Sequence, residues 1–147
     1  MDWVHLHLAL NHVPVLGTVF VGLLLGAALF RKSDELKRVS LVGFVALAGV
    51  SIPIKFTGDF ASEKLVGAEW LDKSRMAAHE QSADQATTCM FLLGLAAGFG
   101  LWQGRGGRKV RPVTLWVVLA LAAVTFLLMA RTANSGGELR HEEIRQT

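Results

Sequence analysis

The sequence predicts an all-α protein, a transmembrane four-helix bundle with short cytoplasmic loops and one longer outer loop. The composition supports this class, because 52% of the 147 residues are hydrophobic and the mean hydropathy is +0.41. The charges stand in blocks that separate four long apolar runs, a pattern typical of polytopic membrane proteins. A backbone in lipid must satisfy its own hydrogen bonds, so each run is expected to be a helix.

The four spans form a single predicted domain over residues 1–147. The first span carries no charge apart from its histidines, and the second is short for a hydrocarbon core of about 30 Å. The third begins amphipathic and becomes apolar near Ala86. Gly136 and Gly137 are expected to stop the fourth helix. The predicted boundaries are about 6–30, 39–56, 78–102 and 113–131, followed by a polar tail at 132–147.

The loops predict the topology. Segments 31–38 and 103–112 hold eight of the fifteen Lys and Arg residues, and such density favours the cytoplasmic side. Both termini are then periplasmic, together with the longer segment 57–75, which we interpret as an interfacial helix or a lid. Short links make sequential helices antiparallel neighbours.

Several classes of function are excluded by what the sequence lacks. The single cysteine, Cys89, allows no intrachain disulfide and no Cys-x-x-Cys motif. The basic residues flank apolar runs, so the net charge of +3 does not indicate nucleic-acid binding. No serine has a base at a recognisable triad spacing. Each half is a helical hairpin with a basic link, but no motif is expected to align between the halves. The G-x-x-x-G matches at 22–26 and 94–98 favour tight packing within the bundle over a homodimer face.

The five histidines are the candidate residues for binding heme or a metal ion. Under this topology all five lie at one membrane surface: His5, His7, His12, His79 and His141. His5 and His12 are seven residues apart and share a helix face. Ionisable residues at membrane depth usually face the bundle interior, so His12 and His79 are the leading candidates to meet from opposing helices.

Two facing imidazoles in a bundle predict a six-coordinate b-type heme. Glu80 or Asp84 is a candidate to hold the second ring nitrogen of a ligand, and Arg131 and Arg140 are candidates for the heme propionates. His5 with His141 is a second candidate pair, which would make two hemes. The protein is then an electron carrier rather than a stand-alone enzyme, and its partners would be a quinol, a periplasmic cytochrome or another redox subunit.

Two alternatives remain open. Copper or zinc could be bound by three or four of the same histidines, drawn from His5, His7, His12, His79 and His141. Alternatively, the chain is a structural subunit of a respiratory complex, and the histidines are interfacial, solvated or bonded to backbone carbonyls.

Three segments, spread over nearly the whole chain, resemble those of a protein family. "HLHLALNHVPVLG", "AHE" and "TANSGGELRHEEI" resemble an uncharacterised family of small bacterial four-span membrane proteins, with a His-x-Pro motif near the start and Gly-Gly-x-x-Arg-His near the end. The resemblance implies a multi-pass protein of the bacterial inner membrane, and similar small proteins look like membrane cytochromes. The matching positions are Asn11, His12, Pro14, His79, Gly136, Gly137, Arg140 and His141.

Overall fold

The helices form a four-helix bundle, as predicted. The computed structural model describes residues 3–140. It contains α1 (Trp3–Leu10), α2 (His12–Phe30), α3 (Asp34–Leu65), α4 (Lys73–Gln103) and α5 (Pro112–Arg140), with a short 3₁₀ turn at Arg105–Gly107. Within these residues, four helices are long and apolar enough to cross a membrane, with α1 and α2 together making the first of them.

The first crossing helix is interrupted at Asn11, between α1 and α2. Pro14 has no N–H, so the carbonyl of Leu10 loses its usual partner four residues on. Asn11 nevertheless keeps right-handed helical angles, with φ −61° and ψ −22°. The two segments therefore continue as one apolar helix from Trp3 to Phe30.

The second crossing helix, α3, is much longer than predicted. Ser33 caps its start by accepting from the N–H of Leu36, and the helix continues through Pro53 to Leu65. Residues 57–65, expected to belong to an interfacial helix or a lid, are helical and continuous with α3, and only 66–72 connect α3 to α4. The helix continues because one of its faces stays buried beyond the first charged residue, Lys55. Ile54, Thr57 and Ala61 on this face are all buried.

The last helix, α5, also extends past its predicted end. Gly136 and Gly137 do not stop it, since it continues to Arg140. Contacts to α4 hold this end in place: Arg75 pairs with Glu138 at 3.0 Å. Within α5, the Asn134 amide donates to Glu138 at 2.9 Å. Glycine costs a helix only about 1 kcal/mol, which such contacts can offset.

The packing order places the helices around the core. α3 packs on α2 and α4, and α5 packs on α2 and α4, while α1 packs on α3. The first and third crossing helices therefore lie diagonally across the bundle. The centre is filled by fully buried side chains from all four crossing helices, among them Leu25, Leu41, Phe44, Met90, Leu93 and Val118.

The helices are longer than a bilayer requires. α3 has 32 residues and α4 has 31, or about 45–50 Å at 1.5 Å per residue, against a hydrocarbon core of about 30 Å. The excess lies at the end opposite the basic loops, where the charges of Lys55 and Asp84 begin. This end, made of α1, residues 54–65 of α3, residues 73–84 of α4 and residues 131–140 of α5, is called the outer head below.

Candidate histidine site in the outer head

His7 is bound to α3. It is half-buried on α1, and its Nδ1 lies 3.3 Å from the carbonyl oxygen of Ile54 and 3.3 Å from the hydroxyl of Thr57. The Thr57 hydroxyl donates its own hydrogen to the Ile54 carbonyl at 2.7 Å. Since both oxygens near the ring can only accept, Nδ1 of His7 carries the proton and donates.

His79 repeats this arrangement in the second hairpin. It is half-buried on α4, and its Nδ1 lies 3.0 Å from the hydroxyl of Ser135 on α5. Ser135 donates its hydrogen to the carbonyl of Thr132 at 2.9 Å, so its oxygen accepts from the ring. Nδ1 of His79 is therefore also the protonated nitrogen.

The two rings consequently share one tautomer. In a neutral imidazole with a proton on Nδ1, the nitrogen Nε2 carries a lone pair and can accept a hydrogen bond or bind a metal. Histidine ligands in metalloproteins are typically oriented in this way, with the second ring nitrogen donating to an oxygen of the protein. Both rings therefore have an unprotonated Nε2.

A glycine follows each hydroxyl residue and lets the helix approach its histidine. A Cβ atom added to Gly58 would lie 3.0 Å from Cε1 of His7, and one added to Gly136 would lie 3.0 Å from Cε1 of His79. Any larger residue would push the ring away from its hydroxyl partner. Each ring is therefore fixed by a hydroxyl–glycine pair on the neighbouring helix.

In each hairpin, a further contact between the same two helices lies about one turn farther from the apolar core than the histidine, again at corresponding positions. In the first hairpin, Trp3 packs on Phe60 with ring centroids 4.9 Å apart. In the second, Arg75 pairs with Glu138 at 3.0 Å. Each contact joins a residue four positions before the histidine to one three positions after the hydroxyl residue. The two hairpins are therefore a structural repeat, and the expectation that no motif aligns between the halves is wrong.

The repeat brings the two histidines toward each other. α1 and α4 are diagonal in the bundle, and the two rings are close enough that a positive charge on His7 would disfavour one on His79. Both belong to the outer head, just beyond the apolar core. His79 is thus nearer to His7 in its setting than the predicted pairing with His12 implies, although the sequence indicates His7 only as a candidate metal ligand.

The other predicted histidines are placed differently. His12 is exposed at the start of α2, and its Nδ1 donates to the carbonyl of Leu8, one turn earlier, at 3.2 Å. His5 is exposed on α1. His141 lies outside the described residues. The pairings of His12 with His79, and of His5 with His141, stay predictions.

The predicted arginines lie toward the end of α5. Arg131 is exposed at the base of the outer head. Arg140 is the last residue of α5, and its side chain lies outside the described part of the chain. The role of both as partners of heme propionates stays a prediction.

The carboxylates expected to hold a ligand's second nitrogen have other partners. Glu80 accepts a short hydrogen bond from the hydroxyl of Ser62. Asp84 pairs with Lys55 at 3.1 Å, and Lys55 also pairs with Asp59 at 2.5 Å. The expectation for Glu80 and Asp84 is wrong, because these groups connect α4 to α3. Thr57 and Ser135 bind the ring nitrogens in their place.

The sequence carried a signal for these positions that was missed. The oxygens around His7 come from positions 54 and 57, and those around His79 from 132 and 135, with glycine at 58 and 136. Each histidine precedes its hydroxyl residue by a similar distance, 50 and 56 positions. A search for a His followed by a hydroxyl–glycine pair at this spacing would have found both halves.

Comparisons of the chain with models of protein families, with curated proteins and with solved structures found no match. Within residues 3–140, no three His, Cys, Asp or Glu side chains come together in a way that could hold a metal ion. The chemistry of the site therefore rests on its two imidazoles and on the groups that orient them.

Proposed function

We propose that the protein is a b-type membrane cytochrome that binds heme between His7 and His79 and transfers electrons near the periplasmic face. The observation that carries this proposal is the shared tautomer of the two rings. Both Nδ1 atoms donate to oxygens of the neighbouring helix, which leaves two Nε2 lone pairs on diagonal helices. A heme iron bound by two histidines would take one Nε2 from each of these helices.

The residues around the rings are consistent with a flat macrocycle. Gly58 and Gly136 contact the rings, and the neighbouring buried positions on α3 and α4 hold Ala61, Ser82 and Ala86. Small side chains leave space between helices of a bundle, where cofactors are typically bound. Heme would supply one-electron redox chemistry, and the protein would supply the ligands, their orientation and the apolar surroundings.

The charges support an orientation with the outer head in the periplasm of a bacterial inner membrane. The opposite end carries the basic loops, which favour the cytoplasm. Exposed aromatic side chains surround that end, with Phe30 91%, Trp102 63% and Trp116 60% exposed. Aromatic residues at such positions are typical of the membrane–water interface. Electron partners would then be a lipid quinol, a periplasmic cytochrome or a second redox subunit.

Absorption spectra of the purified, detergent-solubilised protein, oxidised and reduced, test the proposal together with elemental analysis. We expect a Soret band that shifts on reduction, either in the protein as purified or after addition of hemin. Colourless protein with stoichiometric copper or zinc would support a non-heme metal site. Protein that binds neither hemin nor metal, yet copurifies with a larger complex, would support a structural subunit.

A further inference from the structure

The end of the bundle opposite the outer head is strongly basic. It consists of segment 31–38, which contains the link between α2 and α3, and segment 103–112, which contains the link between α4 and α5. The two segments hold eight Lys and Arg residues against two acidic ones, Asp34 and Glu35. Their formal charge is therefore +6, whereas the whole chain carries only +3. This part of the molecule is called the basic end below.

Most cations of the basic end have no anionic partner in the protein. Lys37 pairs with Asp34 at 2.7 Å, and Lys109 of the other segment is close enough to stabilise the same ionised carboxylate. The two segments therefore form one surface. The remaining six cations are exposed and form no ion pair with any side chain that the structure describes: Arg31, Lys32, Arg38, Arg105, Arg108 and Arg111.

Exposed aromatic side chains place these cations at the depth of phospholipid headgroups. Phe30 directly precedes Arg31, and Trp102 stands three positions before Arg105. Aromatic residues in such positions are typical of the membrane–water interface, which is also where the lipid phosphates lie. The unpaired cations are therefore within reach of headgroups in the surrounding leaflet.

Lys32 occupies a position that favours glycine. Its φ is 53°, in the left-handed region where a side chain with a Cβ atom is strained. It ends α2 in a Schellman motif, in which the N–H of Ser33 donates to the carbonyl of Ala28 at 3.0 Å and the N–H of Lys32 to that of Leu29 at 3.2 Å. Glycine is the usual residue here. Since both bonds come from the main chain, the charge of Lys32 is what the lysine supplies and a glycine would not.

We propose that the basic end binds the headgroup phosphates of anionic phospholipids in the leaflet that surrounds it. The guanidinium groups match the geometry of phosphate oxygens, and basic residues at a membrane surface attract lipids with a net negative charge. A zwitterionic headgroup balances its phosphate with its own cation and is attracted less. The proposal goes beyond electron transfer and requires no heme, because the histidines lie at the other end of the bundle.

Lipid binding by the full-length protein in a neutral detergent tests the proposal. The probes are phosphatidylglycerol and phosphatidylcholine, with dissociation constants measured by native mass spectrometry. We expect tighter binding of phosphatidylglycerol, by about tenfold or more. Lys32→Gly should weaken this binding about fivefold, the contribution of one basic residue near an anionic surface. Lys32→Arg should retain it.

Lys32→Gly also separates loss of charge from loss of folding. Because glycine adopts the left-handed conformation without strain, the thermal unfolding midpoint without lipid should stay the same or rise while the affinity for phosphatidylglycerol falls. Lys64→Gln is the matched control, since it removes one charge from an exposed lysine in the outer head. It should leave phosphatidylglycerol binding unchanged.

Three results would overturn the proposal: equal affinity for the two lipids, unchanged phosphatidylglycerol binding in Lys32→Gly, or an equal loss in Lys64→Gln. Displacement of phosphatidylglycerol by an equal concentration of inorganic phosphate would also overturn it, because the basic end would then bind a soluble phosphate compound rather than a lipid.

Discussion

Nδ1 of His79 donates to the hydroxyl of Ser135 at 3.0 Å, and this bond fixes which nitrogen of the ring is available. Ser135 is itself fixed, because its hydrogen goes to the carbonyl of Thr132. The same relationship holds between His7 and Thr57 in the first hairpin. The two imidazoles are therefore oriented in the same way, as the proposed heme site requires.

Ser135→Ala is expected to weaken heme binding about 10- to 100-fold, the usual effect of losing a group that orients a metal-binding histidine. Ser135→Thr should largely restore it, since Thr57 performs the same task in the other hairpin. Hemin titration followed at the Soret band measures both variants. Equal affinity in Ser135→Ala and the unmodified protein would show that the hydroxyl does not orient the ring.

Gly136→Ala is expected to destabilise the outer head, because the added methyl would lie 3.0 Å from Cε1 of His79. Overpacking of this kind typically costs about 1–3 kcal/mol, which outweighs the gain of about 0.5–1 kcal/mol from replacing a helix glycine by alanine. Thermal unfolding in detergent, followed by circular dichroism, should show a lower midpoint. Gly26→Ala is the control, because its methyl meets nothing within 4 Å. A similar decrease in both variants would point to a general effect of losing a helix glycine.

Much of the fold follows from hydropathy, whereas the lengths of the helices do not. The charges of Lys55 and Arg131 end the apolar runs of the sequence, and that is where the predicted spans ended. A helix continues beyond such charges when one face still buries side chains, as Thr57 and Ala61 do. Likewise, α5 continues through Gly136 because contacts with α4 stabilise the helix there.

The pairing of the histidines was not predictable from spacing along one helix. His12 lies deeper along the first crossing helix than His7, which suggested a ligand in the bundle interior. Which histidine ring faces the bundle interior depends on the rotation of α1 about its own axis where it packs on α3. The spacing of residues along α1 alone does not determine that rotation. The oxygens of Ile54 and Thr57 provide the missing information, because they select His7.

The cap of α4 should make stability depend on pH under acidic conditions. Asp72 accepts from the Ser74 hydroxyl and from the N–H groups of Ser74 and Arg75, and these bonds lower the pKa of its carboxyl below its usual range. The stabilisation by the ionised Asp72 carboxylate is therefore fully present above the pKa that Asp72 has in the unfolded chain. It is lost as the pH falls through the lower pKa that Asp72 has in the folded protein.

Asp72→Ala should accordingly lower the unfolding midpoint at neutral pH, with the difference from the unmodified protein decreasing below about pH 4. Unfolding midpoints of both proteins across this range provide the measurement. A difference that is constant down to the most acidic condition would contradict the role of the ionised cap.

Cys89 should resist thiol reagents in the folded protein. Its side chain is buried, and Sγ accepts from the hydroxyl of Thr125 at 3.3 Å. A buried thiol in apolar surroundings is unreactive. Mass spectrometry after maleimide treatment should detect modification only when the protein has first been denatured. Rapid labelling of the folded protein would mean that α4 and α5 separate at this level.

Reduced-minus-oxidised difference spectra of His7→Ala, His79→Ala and His12→Ala, each reconstituted with hemin, test the central claim most directly. The account predicts that the bis-histidine bands disappear in the His7 and His79 variants and persist in the His12 variant. Bands that persist without His7 but disappear without His12 would contradict the site described here and restore the pairing that the sequence alone favoured.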